Sequence, residues 1–393
     1  MNPFRLFSLR TLMGCLLIAF LSIPIMTGCT KTGDKKDGEA KKTEKSSKEQ
    51  PKLVKGEEVA IGFIYVGPKD DYGYNQAHAE GAAAVKKMAN VKVVEEEKVP
   101  ESVDVQRTMK SMIDTDKVKI IFPTSFGYFD PHVLKMAAKY PDVMFLHCGG
   151  LWDETKHPKN VGSYFGYIDE CEYLSGIVAG YATKSKKIGF VAAKGIPQVK
   201  RNINAFALGA KTVDPKIQCF VIFTNDWSNS VKEAEAANNL IDQGVDVITC
   251  HVDSPKVVVE TAEGRGVKVC GYHASQAKLA PKGYLTGAEW NWAKVYTDYV
   301  SMLQDGKKVP NFVRGGLKEK VVKMSPYTDL VGPEARKAAD AAKAGLEAGT
   351  LIIFKGPLND NMGKEVIPAK TSYVQTAKEL ESMDYLVEGV VGR

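Results

Sequence analysis

From residue 59 onward the chain alternates between short β-branched runs and amphipathic or alanine-rich stretches. This alternation limits the possible fold more than any other feature. Strands read at 59–65, 91–95, 119–123 and 143–148, separated by helices at 74–88, 103–113 and 131–139. Strands joined by helices cannot be hairpin partners; they form a parallel sheet covered on both faces, an α/β fold. The rhythm restarts after a helix at 169–183, whose first residues Asp169 and Glu170 suit the positive end of its dipole. Strands at 187–193, 217–224, 246–250 and 267–271 then alternate with helices at 198–212, 229–243 and 255–263. Two such halves predict two lobes, with ligand outside the carboxyl ends of the strands, in a cleft where both sets of ends meet. The last third is less regular, with helices at 296–304 and 334–347, a strand at 351–355, a polar turn at 359–363 and an apolar stretch at 380–391.

The first residues have a different physics. Arg5 and Arg10 precede an apolar run that reaches Met26, the build of a secretory signal. Pro24 and Gly28 cut that run short for a membrane span. Met26-Thr27-Gly28-Cys29 resembles a bacterial lipobox, with Met where Leu is usual; in that pattern the cysteine is diacylated and becomes the new N-terminus. Between 30 and 57 only Leu53 and Val54 are aliphatic side chains larger than alanine, too little apolar surface to offset chain entropy. The expected division is a signal peptide at 1–28, lipid on Cys29 with a disordered tether at 29–57, lobes at 58–167 and 168–288, and chain returning to both lobes at 289–393. The folded part is then anchored by lipid outside the cytoplasm, in a periplasm or at a cell surface.

Several chemistries find no support. The net charge is +6 over 393 residues, with acids and lysines interspersed and no basic face carrying aromatics, so nucleic acid is not an expected partner. Cys148, Cys171, Cys219, Cys250 and Cys270 are widely spaced without a C-x-x-C pair, and read as buried or free thiols, one disulfide being left open. G-x-S-x-G, H-E-x-x-H and P-loop patterns are absent. The histidines are scattered; His147 and His251 are the two at strand ends, and His132, His147, His251 and His273 supply no local metal-binding pair. No catalyst, cofactor or metal is expected. A nucleosidase-like enzyme and a metal-binding solute protein stand as alternatives to binding without chemistry.

The loops after the strands carry the candidate residues. The first, 67–76, offers Asp71, Tyr74 and Asn75 at a helix start: a ring beside a carboxylate and an amide, suited to a planar, hydrogen-bonding solute. The second, 124–131, places Phe126 where it can stack, and Asp130 before Pro131 reads as a helix cap. The third holds Trp227 outside the apolar periodicity. Asp253 and His273 follow later strands, and Trp290 and Trp292 flank Asn291 before a helix, one of them expected to be structural. Two rings across a cleft would clamp a flat solute by stacking, at about 0.5–1.5 kcal/mol per aromatic pair beyond burial.

At these residues the chain resembles the basic membrane protein family. The likeness is carried by Y-V-G-P-x-x-D-x-G-Y-N-Q, T-S-F-G-Y-F-D, the run Tyr173-Leu174-Ser175-Gly176, I-P-Q-V-x-R-N-I-N-A-F, G-Y-H, W-N-W and the ending S-M-D-Y-L-V-E-G-V-V-G, in order along the chain. The resemblance implies a lipoprotein with a two-lobed, type I periplasmic-binding-protein fold that binds solute for an ABC importer and docks, closed, on its permease; a monomer is expected. In the nucleoside-binding branch an Asp and an aromatic-Asn pair come from the first loop, here Asp71, Tyr74 and Asn75, and a second-lobe ring stacks on the base, by position Trp227. Close relatives carry Trp where Tyr74 stands; Tyr keeps a stacking face. That branch also bonds ribose through an acid after the strand at 267–271, where this chain has His273-Ala274-Ser275. The departure shifts the expected solute from a nucleoside toward a free purine base such as adenine. A nucleoside or another heteroaromatic, flavin-like, is the alternative solute, and a ligand-sensing receptor subunit the alternative use of the same cleft.

Overall fold

The computed structural model describes residues 49–54 and 56–392. The leader, Cys29 and most of the tether lie outside the described residues. The first part of the chain builds β1 (Val59–Ile64), α1 (Tyr74–Val85), β2 (Val91–Glu96), α2 (Val103–Asp114), β3 (Ile120–Pro123), α3 (Leu134–Lys139), β4 (Met144–Cys148) and β5 (Val161–Gly166). The second builds α4 (Asp169–Ala182), β6 (Lys187–Ala192), α5 (Pro197–Lys211), β7 (Gln218–Phe223), α6 (Ser230–Asp242), β8 (Val247–His251), α7 (Lys256–Gly264), β9 (Lys268–His273) and β10 (Tyr284–Trp290). Then come α8 (Trp292–Gln304), β11 (Phe312–Gly315), β12 (Val322–Met324), α9 (Pro333–Ala348), β13 (Phe354–Lys355), β14 (Leu358–Asn359), β15 (Glu365–Ile367), β16 (Ser372–Tyr373), α10 (Lys378–Glu381) and β17 (Val390–Val391).

These strands make two large sheets. The first has the order β11-β5-β4-β3-β1-β2 and is parallel throughout. The second runs β12-β10-β9-β8-β6-β7-β17, with β12 alone antiparallel. Central strands are buried along their whole length, as in Ile120–Pro123 and Met144–Cys148, because helices cover both faces. Phe63 and Phe122 stack at 4.8 Å on the face of the first sheet under α8, while Met109, Met112, Ile121 and Phe145 fill the opposite face.

Three crossovers join the lobes: Tyr167–Ile168 between β5 and α4, Asn291 between β10 and α8, and 316–321 between β11 and β12. They are bonded to one another. Tyr167 N donates to Gly315 O at 2.8 Å, Asn291 N to Val321 O at 2.9 Å, and Leu317 N to Glu170 Oε2 at 2.7 Å. The architecture is the two-lobed type I periplasmic-binding-protein fold. The C-terminal segment then wraps the second lobe: Gln375 bonds Glu170 and Arg201, Val387 N donates to Asn204 Oδ1, and β17 adds to the edge of β7.

Several local expectations fail for physical reasons. Asp130 precedes Pro131 with the extended backbone of a helix cap (φ −117°, ψ 122°), but the expected regular helix opens there as a wide turn, and α3 proper begins at Leu134. The strand expected at 351–355 is reduced to Phe354–Lys355, and the helix expected from 296 starts at Trp292. The end of the expected tether is docked. Gln50 exchanges side-chain bonds with Val309 N and O at 2.9 and 2.7 Å, and Leu53 packs on the core.

Candidate ligand-binding site

The loop from β1 to α1 shows how the first candidate residues are placed. The Asp71 carboxylate accepts from the backbone N–H groups of Gly73, Asn75 and Gln76 at 2.8, 3.0 and 2.9 Å, and from Asn75 Nδ2 at 2.8 Å. These are the free donors of the α1 start, which any nearby carboxylate would take up first. Burial pushes the Asp71 carboxyl above its usual range in spite of these donors. Asn75 Oδ1 in turn accepts from Gly67 N at 3.1 Å. Asp71 and Asn75 therefore shape the loop, and the side chain they position is Tyr74.

Tyr74 lies at the joint between lobes. Its hydroxyl donates to Thr124 O at 2.6 Å. Its ring stands edge-on to His78 in α1 (4.6 Å, 80°) and to His273 at the end of β9 (5.5 Å, 73°). The ring series continues in both directions. On the second lobe, His273 lies 5.8 Å from His251 at the end of β8, and His251 lies 6.1 Å from Trp227. On the first, His78 stacks on Trp292 at 5.3 Å with planes 3° apart. Tyr74 and Trp227 thus belong to one ring series, but two imidazoles stand between them.

Both sides of the joint also meet through backbone. Tyr74 N donates to Asp253 O at 2.9 Å, Ser254 Oγ to Asp71 O at 3.0 Å, and Gln276 Nε2 to Tyr72 O at 2.5 Å. Asp253 N donates to Trp227 O at 2.7 Å, so one loop segment holds both Tyr74 and Trp227. Tyr72, Asn225 and His273 have φ of 55°, 60° and 72°, three left-handed non-glycine residues around one joint. Such strain collects where surrounding structure over-determines the backbone, commonly at ligand clamps.

The electrostatics are those of an uncharged, partly acidic site. Burial depresses the His251 imidazole to about 3, that of His273 well below its ordinary value, and that of His78 likewise, so all three are neutral at physiological pH. Burial raises the Asp253 carboxyl to about 8, with the charges of Asp71, Glu101 and Glu233 adding and Lys194 opposing. Lys194 lies over the Trp227 ring, 5.6 Å from its centroid. Among the described residues no group of three or more His, Cys, Asp or Glu side chains is placed to hold a metal ion.

The remaining candidates divide. Trp290 is buried, stacks on Trp292 at 4.8 Å, and donates from Nε1 to His273 Nδ1 at 2.7 Å. Trp292, 1% exposed, is a packing residue behind Tyr74 and His78. Phe126 is 72% exposed at the strand-end rim of the first lobe and joins none of these ring contacts. His251, picked out in the sequence by its place at a strand end, belongs to the joint; His78, Gly73, Ser254 and Gln276 complete it and were not among the sequence candidates. The five described cysteines are buried and free. Among the described residues no helix is long and apolar enough to cross a membrane.

Comparison with known proteins agrees with this architecture. The family model for PnrA-like ABC transporter substrate-binding proteins, Bmp, matches residues 58–344. A purine-binding protein of Brucella abortus is 35% identical over 336 residues, covering 85% of this chain and 93% of the relative. A putative ABC transporter glucose-binding protein of Haloferax volcanii is 31% identical, covering 86% of this chain and 81% of the relative. The solved structure of an ABC transporter solute-binding protein from Conexibacter woesei superposes with a TM-score of 0.64 at 23% identity, covering 75% of this chain and 97% of that one.

Proposed function

The chain belongs to the Bmp family of PnrA-like ABC transporter substrate-binding proteins, and from that premise we propose that it captures a purine base, adenine before others, between its two lobes and delivers it to a membrane permease. Lipid on Cys29 would hold it at the outer face of the membrane that carries the permease.

The observation that carries this reading is the ring series at the joint, where Tyr74 of one lobe meets His273 of the other and Trp227 lies beyond His251. Flat faces and neutral imidazoles suit a planar, uncharged, hydrogen-bonding solute. The acidic surroundings of Asp253 oppose a phosphate, which separates bases and nucleosides from nucleotides. The Brucella relative, named for purine binding, supports the same class. The absence of an acid at 273–275 favours base over nucleoside.

Calorimetry on protein stripped of co-purified solute tests the proposal. Adenine, adenosine, guanosine, AMP, riboflavin and glucose are titrated in turn. Adenine is expected to bind most tightly and AMP not at all. Silence toward every purine, or tight binding of glucose in their place, overturns the reading.

A further inference from the structure

The lobes are joined through three crossovers, so whatever fixes a crossover biases how they meet. The third is held by Glu170, a buried residue in the first turn of α4. Its Oε2 accepts from Leu317 N at 2.7 Å. Gly316 lies so close that a β-carbon there would stand 2.2 Å from the same oxygen. The other oxygen, Oε1, accepts from Gln375 Nε2 at 3.1 Å. Gln375 belongs to the C-terminal segment, which is fixed to the second lobe by the buried Leu380, Met383, Leu386 and Val387 and by the pairing of β17 with β7.

Neither donor to Glu170 can turn round. A backbone N–H only donates. The Gln375 amide is set by Arg201 of α5, whose Nη2 donates to Gln375 O at 3.2 Å and also to Gln375 Oε1. A guanidinium has no acceptor, so Oε1 faces Arg201 and Nε2 is left for Glu170. Arg201 is itself buried. It pairs with Asp169 at 3.1 Å and lies over the ring of Tyr167, in the first crossover, 5.1 Å from its centroid. One bonded series thus runs from Asp169 through Arg201, Gln375 and Glu170 to Leu317, and its middle member comes from the C-terminal segment.

We infer that Gln375 is a positioning residue for solute capture: from outside the ring series it orients Glu170 against Leu317, so that the C-terminal segment favours the arrangement in which the lobes meet. The inference rests on the solute-binding reading of the joint and adds a control point remote from it. A lobe arrangement held in this way is populated before solute arrives, which strengthens binding without any contact to the solute.

Three variants and two measurements test this. Gln375→Leu removes the amide, and Glu170→Gln sets two amide N–H groups against each other. Glu170→Gln combined with Gln375→Glu exchanges the two groups and restores every bond, with the charge moved beside Arg201. The first measurement, amide hydrogen exchange at Leu317, is made on solute-free protein. Exchange is expected to be about 10-fold or more faster in each single variant, the worth of one hydrogen bond to a charged group, and within about 3-fold of wild type in the exchanged pair. Unchanged exchange at Leu317 in a folded Gln375→Leu protein overturns the inference whatever the solute, and an exchanged pair no better than the single variants overturns the assignment of partners. The second measurement is the adenine dissociation constant, expected to rise about 10-fold in each single variant and to return within about 3-fold of wild type in the pair. Faster exchange with wild-type affinity overturns the role in capture while leaving purine binding intact. Wild type binding no purine overturns the proposed function, and exchange at Leu317 then still decides whether Gln375 holds the crossover.

Discussion

Gly73 of the first lobe lies so close to Asp253 of the second that a β-carbon at residue 73 would stand 2.1 Å from the Asp253 carbonyl oxygen and 2.4 Å from Pro255 Cδ. Backbone and a proline ring cannot yield as a flexible side chain would. The same approach lets Tyr74 N reach Asp253 O. Gly73→Ala should therefore leave each lobe folded but keep the lobes from reaching this arrangement. The expected result is adenine affinity down about 10-fold or more, as for loss of a fully packed contact. Small-angle scattering should show no contraction of the variant with adenine where wild type contracts. Wild-type affinity in the variant would refute the closing role.

The Asp253 carboxyl, raised to about 8 by burial and by its acidic neighbours, is protonated at neutral pH and offers an O–H donor. As pH rises through about 8 it becomes a carboxylate and loses that donor. If it touches the solute, adenine affinity should be level between pH 6 and 7 and fall as pH passes 8. Asp253→Asn, a permanent donor, should show a flat profile over the same range. Identical pH profiles in the two proteins would remove Asp253 from the contact set.

Two tryptophans should separate binding from stability. Trp227 is partly exposed, between Lys194 and His251. Trp227→Ala is expected to weaken adenine about 10-fold by loss of stacking and burial, with unfolding free energy within about 1 kcal/mol of wild type. Trp292 is enclosed by His78, Tyr164 and Trp290. Its replacement by Ala should cost about 3–5 kcal/mol in denaturant unfolding. The reverse pattern would exchange their roles.

Glu170 sits among the crossovers, its carboxylate taking Leu317 N–H and the Gln375 amide. Burial, with help from Asp169 and Glu319, raises it from 4.5 to about 7 against those two donors. The folded state thus holds more protons than the unfolded state across that interval. Its contribution to stability is complete below pH 4.5 and is lost as pH rises through about 7. The loss attributable to this group is about 3 kcal/mol. Unfolding curves between pH 4.5 and 7 should show wild type losing that much more than Glu170→Gln. Parallel curves would show that Glu170 titrates normally.

Much of the architecture was legible because parallel strands buried on both faces are written as unbroken apolar runs, as in Ile120–Pro123. β5 and β10 escaped for the opposite reason. In Val161-Gly162-Ser163-Tyr164-Phe165-Gly166 two glycines and a serine break up the strand-favouring Val, Tyr and Phe, and pairing with β4 fixes the strand. The placement of Tyr74 and Trp227 at strand ends was readable because rings in loops break periodicity. The use of Asp71 and Asn75 was not, since capping a helix and meeting a ligand call for the same residues. Gly73 depends on a carbonyl contributed 180 positions later, and His78 hid in an alanine-rich helix. Local sequence records neither.

The sealed thiols have a consequence for how the protein can be made. Burial raises Cys148 to about 12 and pushes the other four thiols well above their ordinary value, so none is a thiolate ready to meet an oxidant. The folded lobes carry no cross-link for a reductant to cut. Their integrity is therefore indifferent to the redox potential on either side of a membrane, and a chain threaded outward unfolded can complete this fold without an oxidising catalyst waiting for it.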